Sequence, residues 1–195
     1  MKQTPTPKTI SIVSRPGGGK EYVGYQILRL NSRAIRIVAS DLINREKHQG
    51  TSLGMLMKQF ADAGRLVPDE HIIPLFLNEF THMGKEGYEF IILDGFPRTM
   101  SQLNAIINHG VPFIQIHMVI DASDAMQRML RRRRPGEDEV KCRYRQDVFE
   151  ENTLPMILEC EKQFPRKSFQ IDALTEGHLR AREILRIADS YFVQV

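Results

Sequence analysis

The stretch YEFIILDGFPRT, residues 88–99, decides the fold prediction. Its run FIIL is apolar without alternation, which predicts a strand that is buried on both faces, as in a parallel sheet. The strand ends at Asp94, and a turn centred on Pro97 then leads to Arg98. A carboxylate and a guanidinium therefore follow a buried strand at once, although an ordinary acidic strand end followed by a turn would have the same sequence.

Four other segments have the composition of strands, and helical sequence separates them. They are TISIVS (9–14), AIRIVA (34–39), VPFIQIHMVID (111–121) and KSFQIDA (167–173). We predict helices over 20–30, 123–133 and 176–190. We also predict helical structure over most of 40–84, with breaks near 50 and 64–68, and over a long stretch that ends at about 164. This alternation predicts an α/β fold, with a five-stranded parallel sheet flanked by helices in a three-layer sandwich.

A glycine-rich loop, SRPGGGKEY (14–22), follows the first predicted strand. Glycines let backbone amides surround an anion, the next helix offers its positive end, and Lys20 adds charge for phosphate. The pattern GxxxxGK[ST] is not met, because Ser14 replaces the first glycine and Glu21 replaces the hydroxyl residue. A plain turn from strand to helix is the alternative. Ligands bind at the carboxyl ends of strands in such sheets, where this loop and DGFPR would both lie.

Composition narrows the classes of function. The chain has 195 residues and a net charge of +3, and two thirds of its 27 cationic residues are arginine, which suits phosphate ligands. Arg131 to Arg134 form a basic run, for which a solvated helix end or a nucleic-acid patch is the alternative interpretation. The low net charge and the lack of interleaved aromatic residues disfavour nucleic acid. Cys142 and Cys160 form no metal motif.

No segment resembles a secretion signal or a membrane span, so we expect a cytoplasmic protein with reduced thiols and no membrane partner.

LDGFPRT, with Gln102 three residues later, resembles the signature of the adenylate kinases, which are nucleoside monophosphate kinases. GRLVPDE (64–70) resembles the segment that contacts the monophosphate, and QRMLRRRR (127–134) resembles the start of the lid. The resemblance implies a single domain of the P-loop nucleoside triphosphate hydrolase type. Its core would be 9–38, 69–131 and 141–195, with a monophosphate-binding insert at about 39–68 and a short lid at about 132–140.

The resemblance also implies a reaction, the transfer of a phosphoryl group from Mg-ATP to AMP by a monomer, with Asp94 organising Mg²⁺ through water. The implied ATP-binding residues are Pro16, Gly17, Gly18, Gly19, Lys20, Glu21, Tyr22 and Arg128. The implied AMP-binding residues are Ser40, Gly64, Val67, Gly95, Arg98 and Gln102. The implied catalytic residues are Lys20, Arg98, Arg132, Arg134 and Arg145.

Departures from the family pattern predict reduced efficiency and leave open an alternative, a weak or inactive nucleotide-binding or scaffold protein. These departures are Ser14, Glu21, Tyr22 and Asn44, of which Asn44 replaces an arginine. Arg45 is next to Asn44 in the sequence, but on a helix its side chain points about 100° away. A carboxylate about 5 Å from a phosphate costs about 3 kcal/mol at an effective dielectric of about 20. Glu21 could therefore repel or compete with the phosphates, or it could hold their magnesium.

Overall fold

The computed structural model describes residues 7–132 and 138–193. Within these residues, five strands form one parallel sheet in the order β2-β3-β1-β4-β5. The strands are β1 Lys8–Ser14, β2 Ala34–Val38, β3 Phe90–Asp94, β4 Phe113–Val119 and β5 Ser168–Asp172. The prediction of a five-stranded parallel sheet in an α/β fold is confirmed. Because β1 and β3 are neighbours, with Ile12 opposite Asp94, the loop after β1 and the DGFPR turn leave the same edge.

Helices connect the strands throughout the described chain. They are α1 Lys20–Leu30, α2 Ala39–His48, α3 Ser52–Asp62, α4 Asp69–Lys85, α5 Met100–Asn108, α6 Ala122–Arg132, α7 Glu139–Val148, α8 Leu154–Gln163 and α9 Gly177–Val193. A π-helical segment, Phe149–Thr153, joins α7 to α8. No helix among the described residues is long and apolar enough to cross a membrane.

Helix α5 was not predicted from the sequence pattern, which assigned no element to residues 100–110. Its start carries a recognisable signal, because the Thr99 side chain caps it by accepting a hydrogen bond from the Gln102 amide. The strand before it and the strand after it are both strongly apolar, and the short amphipathic segment between them is easily taken for a loop.

Apolar clusters cover both faces of the sheet and make the three layers. Helices α1, α6 and α9 pack on one face through residues such as Ile27, Ala125 and Ile184. Helices α2 to α5 and α8 pack on the other, where Phe76 of α4 stacks on Phe96 with ring centroids 3.8 Å apart. All five residues of β3 are buried, as its unbroken apolar run requires.

Candidate functional site

The glycine-rich loop after β1 has the geometry of an anion cradle. Gly19 precedes α1 with φ of 82°, and Gly17 has φ of 94°, values that side chains rarely permit. A Cβ at Gly17 would also strike the Ala125 carbonyl of α6, so the loop needs glycine there on two counts. Lys20, the first residue of α1, curls back and donates from Nζ to the Ser14 carbonyl oxygen at 2.9 Å. The first turn of a helix offers amide donors to an anion, and α1 begins directly after this loop.

Side chains from two distant helices hold the outer rim of the loop. Gln146 of α7 donates from Nε2 to the Pro16 carbonyl at 2.9 Å. From the other side, Arg180 of α9 donates from Nη1 to the Gly18 carbonyl at 3.1 Å. With these carbonyl oxygens bound to protein donors, the loop is fixed before any ligand arrives, which lowers the entropy lost on binding.

Ser14, which replaces the first glycine of the GxxxxGK[ST] pattern, makes a contact that supports the loop. Its hydroxyl donates to the Met118 carbonyl of β4 at 2.6 Å and is buried beneath the loop. A Cβ at Gly18 would run into this hydroxyl, so Gly18 and Ser14 fit each other. The serine therefore ties the loop to the neighbouring strand and leaves the cradle intact.

Glu21 and Tyr22 lie on the exposed surface of the first turn of α1. The Tyr22 ring packs against Gly177 at the start of α9, where a Cβ would collide with the ring. The bulky residue after Glu21 therefore points to α9, and the glycine at 177 makes room for it.

Lys20 lies in a concentration of positive charge. Burial lowers its pKa from 10.5 to about 8; Asp94 acts in the opposite direction, and Arg98, Arg145 and Arg132 lower the pKa further. The positive charge of a lysine held among three arginines is electrostatically unfavourable. An anion with several charges would relieve that repulsion, so the cluster is suited to a polyphosphate.

We expect ATP binding to take up a proton above pH 8. Lys20 is half neutral at about pH 8 in the free protein, and bound phosphate raises its pKa. Affinity should be flat below pH 8 and fall by up to about tenfold per pH unit above it. Calorimetry at pH 9 in buffers of different ionisation enthalpy measures the uptake.

Lys20→Arg is the control for this titration, because arginine keeps its charge throughout the range. Equal proton uptake by the two proteins would contradict the assignment. The lowered pKa of Lys20 also makes the free energy of unfolding depend on pH. Between pH 8 and 10.5 the unfolded chain binds the Lys20 proton more tightly than the folded chain, so the contribution of Lys20 to stability rises with pH.

Two adjoining cavities meet at Arg98 and Arg145, which line both. The smaller, about 70 Å³, lies against the glycine loop and includes Pro16 and Lys20. The larger, about 530 Å³, lies under α2 and α3. Burial and the charge of Arg145 both lower the pKa of Arg98, so the two guanidinium groups are close enough to repel each other. Two guanidinium groups placed in this way can stabilise an anion that lies between the two cavities.

The larger cavity collects every residue predicted from resemblance to bind the monophosphate. These are Ser40, Gly64, Val67, Gly95, Arg98 and Gln102. Arg65 and Lys141 also line it, and sequence reasoning missed both. Arg45 is engaged elsewhere: its guanidinium binds both carboxylate oxygens of Glu79, at 3.0 and 3.1 Å. The expectation that Arg45 does not replace the arginine missing at position 44 agrees with this geometry.

Gln102, the expected base-recognition residue, is held in a buried network. Its Oε1 accepts from the Arg98 amide at 2.7 Å, and its Nε2 donates to Asp69 at 2.7 Å. Thr99 donates to the other Asp69 oxygen at 2.7 Å. The network fixes the DGFPR turn against the start of α4. Gln102 has one amide hydrogen beyond these bonds, and its role toward a base stays a prediction.

The remaining predicted arginines lie around the glycine loop to different extents. Arg128 of α6 donates from Nη1 to the Ala173 carbonyl after β5 at 3.1 Å. Arg132 ends α6 and is near enough to Lys20 to lower its pKa. Arg134 and most of the predicted lid lie outside the described residues.

Asp94, the expected organiser of Mg²⁺, is paired inside the protein. Its Oδ2 accepts from Arg36 Nη2 at 2.6 Å. Where a hydroxyl ligand would be expected, α1 has Glu21 and Tyr22. Among the described residues, no three carboxylate, histidine or cysteine side chains form a group that could hold a metal ion. These side chains therefore do not by themselves form a fitting magnesium site.

Sequence reasoning missed Arg36 and Arg180, for different reasons. Arg36 carried a signal, since an arginine inside the otherwise apolar strand AIRIV must find a partner when the strand is buried. Arg180 carried none, because it lies on a helix rich in arginine and its contact with the loop is 162 residues away along the chain.

A parallel sheet with a glycine-rich loop after its central strand, a lysine in that loop and arginines between two cavities defines a P-loop nucleotide phosphotransferase. The family model described as adenylate kinase matches residues 12–164. The chain belongs to the adenylate kinase family.

Individual relatives agree with this assignment. An adenylate kinase of Deinococcus deserti is 31% identical over 174 residues, which cover 80% of this chain and 85% of the relative. An adenylate kinase of Nitratiruptor is 33% identical over 141 residues, covering 69% and 71%. UMP-CMP kinase 1 of Oryza sativa is 28% identical over 194 residues, covering 95% and 74%. The names of these relatives span more than one acceptor, so the family alone does not select AMP.

Proposed function

We propose that the protein transfers the terminal phosphoryl group of ATP to AMP and produces two molecules of ADP. The observation that supports this most is the pair of adjoining cavities that share Arg98 and Arg145. A donor nucleotide on the glycine loop and an acceptor in the larger cavity would meet between these two guanidinium groups.

The donor would lie on the loop of residues 16–20, with its outer phosphates against Lys20 and the first turn of α1. Lys20 would leave the Ser14 carbonyl, to which it donates at 2.9 Å, and turn to the phosphates. Arg128, beside the segment that follows β5, is the proposed contact of the donor base. Arg132 and Arg134 would approach from the end of α6 and the lid.

The acceptor would lie in the 530 Å³ cavity, with its phosphate on Arg98 and its base toward Gly64, Val67 and Gln102. Arg65 and Lys141 add positive charge to this cavity. They offer a partial substitute for the arginine that Asn44 replaces. We propose that residues 39–68, which contain α2 and α3, act as the acceptor-binding insert.

Transfer itself requires positioning and charge more than covalent chemistry. The phosphoryl group passes through a transition state whose charge lies on its equatorial oxygens, and fixed cations stabilise that charge. Arg98, Arg145 and Lys20 repel one another. The approaching phosphates turn this repulsion into attraction without much reorganisation of the protein.

A coupled assay for ADP tests the proposal. We expect turnover with ATP and AMP, and weaker turnover when CMP, UMP or GMP replaces AMP. Because Glu21 adds negative charge beside the phosphates, we propose that turnover is below that of relatives with an unaltered loop. Absence of turnover with every acceptor, in protein shown to be folded, would overturn the proposal.

The variant Glu21→Gly combined with Tyr22→Thr distinguishes an altered loop from a lost function. Gain of turnover in this variant would mean that the loop limits an otherwise competent site. ATP binding without turnover in both proteins would favour the alternative, a nucleotide-binding protein without catalysis.

We further propose that the protein acts as a cytoplasmic monomer with a single domain, whose short lid spans about 132–140. Its two cysteines are buried and form no disulfide, which is compatible with a reducing compartment. Light scattering at the assay concentration tests the monomeric state.

A further inference from the structure

Arg36 of β2 forms a shielded ion pair with Asp94 at the end of β3. Their N–O distance is 2.6 Å, and the side chains are 7% and 12% exposed. The Nε of Arg36 is buried and has no hydrogen-bond partner among the described residues. Removing two charges from water is costly, and the pair leaves a donor unsatisfied. A pair built in this way points to a role other than stability, and the partner is the expected metal-organising carboxylate.

Helix α1 leaves room for the Arg36 side chain. A Cβ at Gly24 would lie 2.6 Å from Arg36 Nε and 2.9 Å from its Cδ. On the next residue, Tyr25, the aromatic ring lies 4.5 Å from the guanidinium carbon and covers it. One helix therefore supplies both the space and the aromatic surface that hold the cation over Asp94.

Asp94 is consequently surrounded by protein cations. Arg36 binds one of its oxygens, and Lys20 is near enough for the carboxylate to stabilise its charged form. A divalent ion that approached Asp94 would find one oxygen bound to a guanidinium that Tyr25 covers, and it would have to displace that guanidinium to bind both oxygens. The charge that a metal would bring to this end of the site is already present in the side chain of Arg36.

We propose that Arg36 is the permanent counter-cation of Asp94, and that the site therefore binds the metal-free polyphosphate of a nucleotide as tightly as its magnesium complex. The inference rests on the proposed nucleotide function and specifies the form of the ligand. Arg36 acts here as a charge-balancing residue through Asp94, and it takes no part in bond formation.

Calorimetric titration of the full chain with ATP, in EDTA and in excess MgCl₂, tests the inference without depending on turnover. For the unaltered protein we expect dissociation constants within about threefold of each other in the two media. For Arg36→Gln we expect binding in EDTA to weaken by about tenfold or more, because the carboxylate of Asp94 would then act on the phosphates without its counter-cation. Magnesium should restore most of that loss, because Asp94 is then open to the ion.

Three further variants separate charge from structure. Arg36→Lys keeps the charge and should remain indifferent to magnesium. Gly24→Ala displaces the Arg36 guanidinium without removing it, so ATP binding by this variant should depend on magnesium in the same direction as in Arg36→Gln, but less strongly. Gly24→Ala also replaces Arg36→Gln in the test if Arg36→Gln does not fold. Arg45→Gln, which removes an exposed arginine from its pair with Glu79, should leave both dissociation constants unchanged.

The outcomes are distinct. ATP binding by the unaltered protein that weakens tenfold or more in EDTA would overturn the inference and leave the proposed function in place. Equal indifference to magnesium in the unaltered protein and in Arg36→Gln would also overturn it, because Arg36 would not be the cause. Absence of ATP binding in both media would overturn the proposed function, and this inference with it.

Discussion

Replacement of Arg98 by alanine is expected to lower kcat/KM for ATP and AMP by about a thousandfold. Arg98 lines both cavities, so its charge would act on the acceptor phosphate and on the group in transfer. Loss of one preorganised charge at such a position costs about 10² to 10³ in rate, and lost acceptor binding adds to this. Initial rates over a range of AMP concentrations separate the two effects.

Folding should be little affected by the same substitution. Burial and Arg145 lower the pKa of Arg98, so its charge is disfavoured where it lies. The bond lost is the one from Nε to the Gly95 carbonyl, 2.9 Å long. Arg45→Ala is the matched control, because Arg45 is paired with Glu79 and does not line the cavities. If the Arg98 and Arg45 variants had equal rates, Arg98 would have no role in transfer.

In contrast to Arg98→Ala, Phe96→Ala should mainly affect folding, and we expect it to lower the free energy of unfolding by about 3 to 5 kcal/mol. Phe96 is fully buried and stacks on Phe76 of α4 with ring centroids 3.8 Å apart. Alanine would leave a cavity between the DGFPR turn and α4 that the helix cannot close without moving. Arg98, two residues along, would then lose its position, so activity should fall in proportion to the unfolded or displaced fraction.

Urea unfolding followed by circular dichroism measures this loss as a lower midpoint at constant slope. Leu158→Ala is the control, since Leu158 is 53% exposed and its truncation should cost less than about 0.5 kcal/mol. A loss below about 1 kcal/mol for Phe96→Ala would mean that the stacked pair does not hold the turn.

The sequence predicted the sheet well because the buried strands are unambiguous. FIIL in β3 has no amphipathic alternative, and FIQIHMV in β4 is apolar apart from Gln115 and His117, so both are typical of strands in a sheet covered on its two faces. The missed helix α5 is nine residues long, and its capping threonine lies inside a segment already interpreted as a turn. The hydrophobic pattern of the sequence is least informative for a short helix or strand that lies next to a strongly apolar strand.

The six residues expected at the monophosphate were identified from segments that resemble the family, and all six line the larger cavity. Their role toward an acceptor stays a prediction. The supports of the glycine loop and the partner of Asp94 were not predicted. Arg180, Gln146 and Arg36 act through contacts between residues 58 to 162 positions apart. No single-sequence pattern reports which distant arginine turns toward a given carbonyl or carboxylate.

The bond from Arg180 to the Gly18 carbonyl has a consequence for how the protein is made. The two residues are 162 positions apart, so the glycine loop leaves the ribosome long before the helix that supports it. At 5 to 20 residues per second, that interval is roughly 10 to 30 s. During this time β1 and α1 can form, but α1 lacks the cover of α9. The loop lacks both of its supports until Gln146 is made, 130 positions after Pro16, and it then still lacks Arg180. Synthesis of α9 is therefore the step that completes the phosphate cradle.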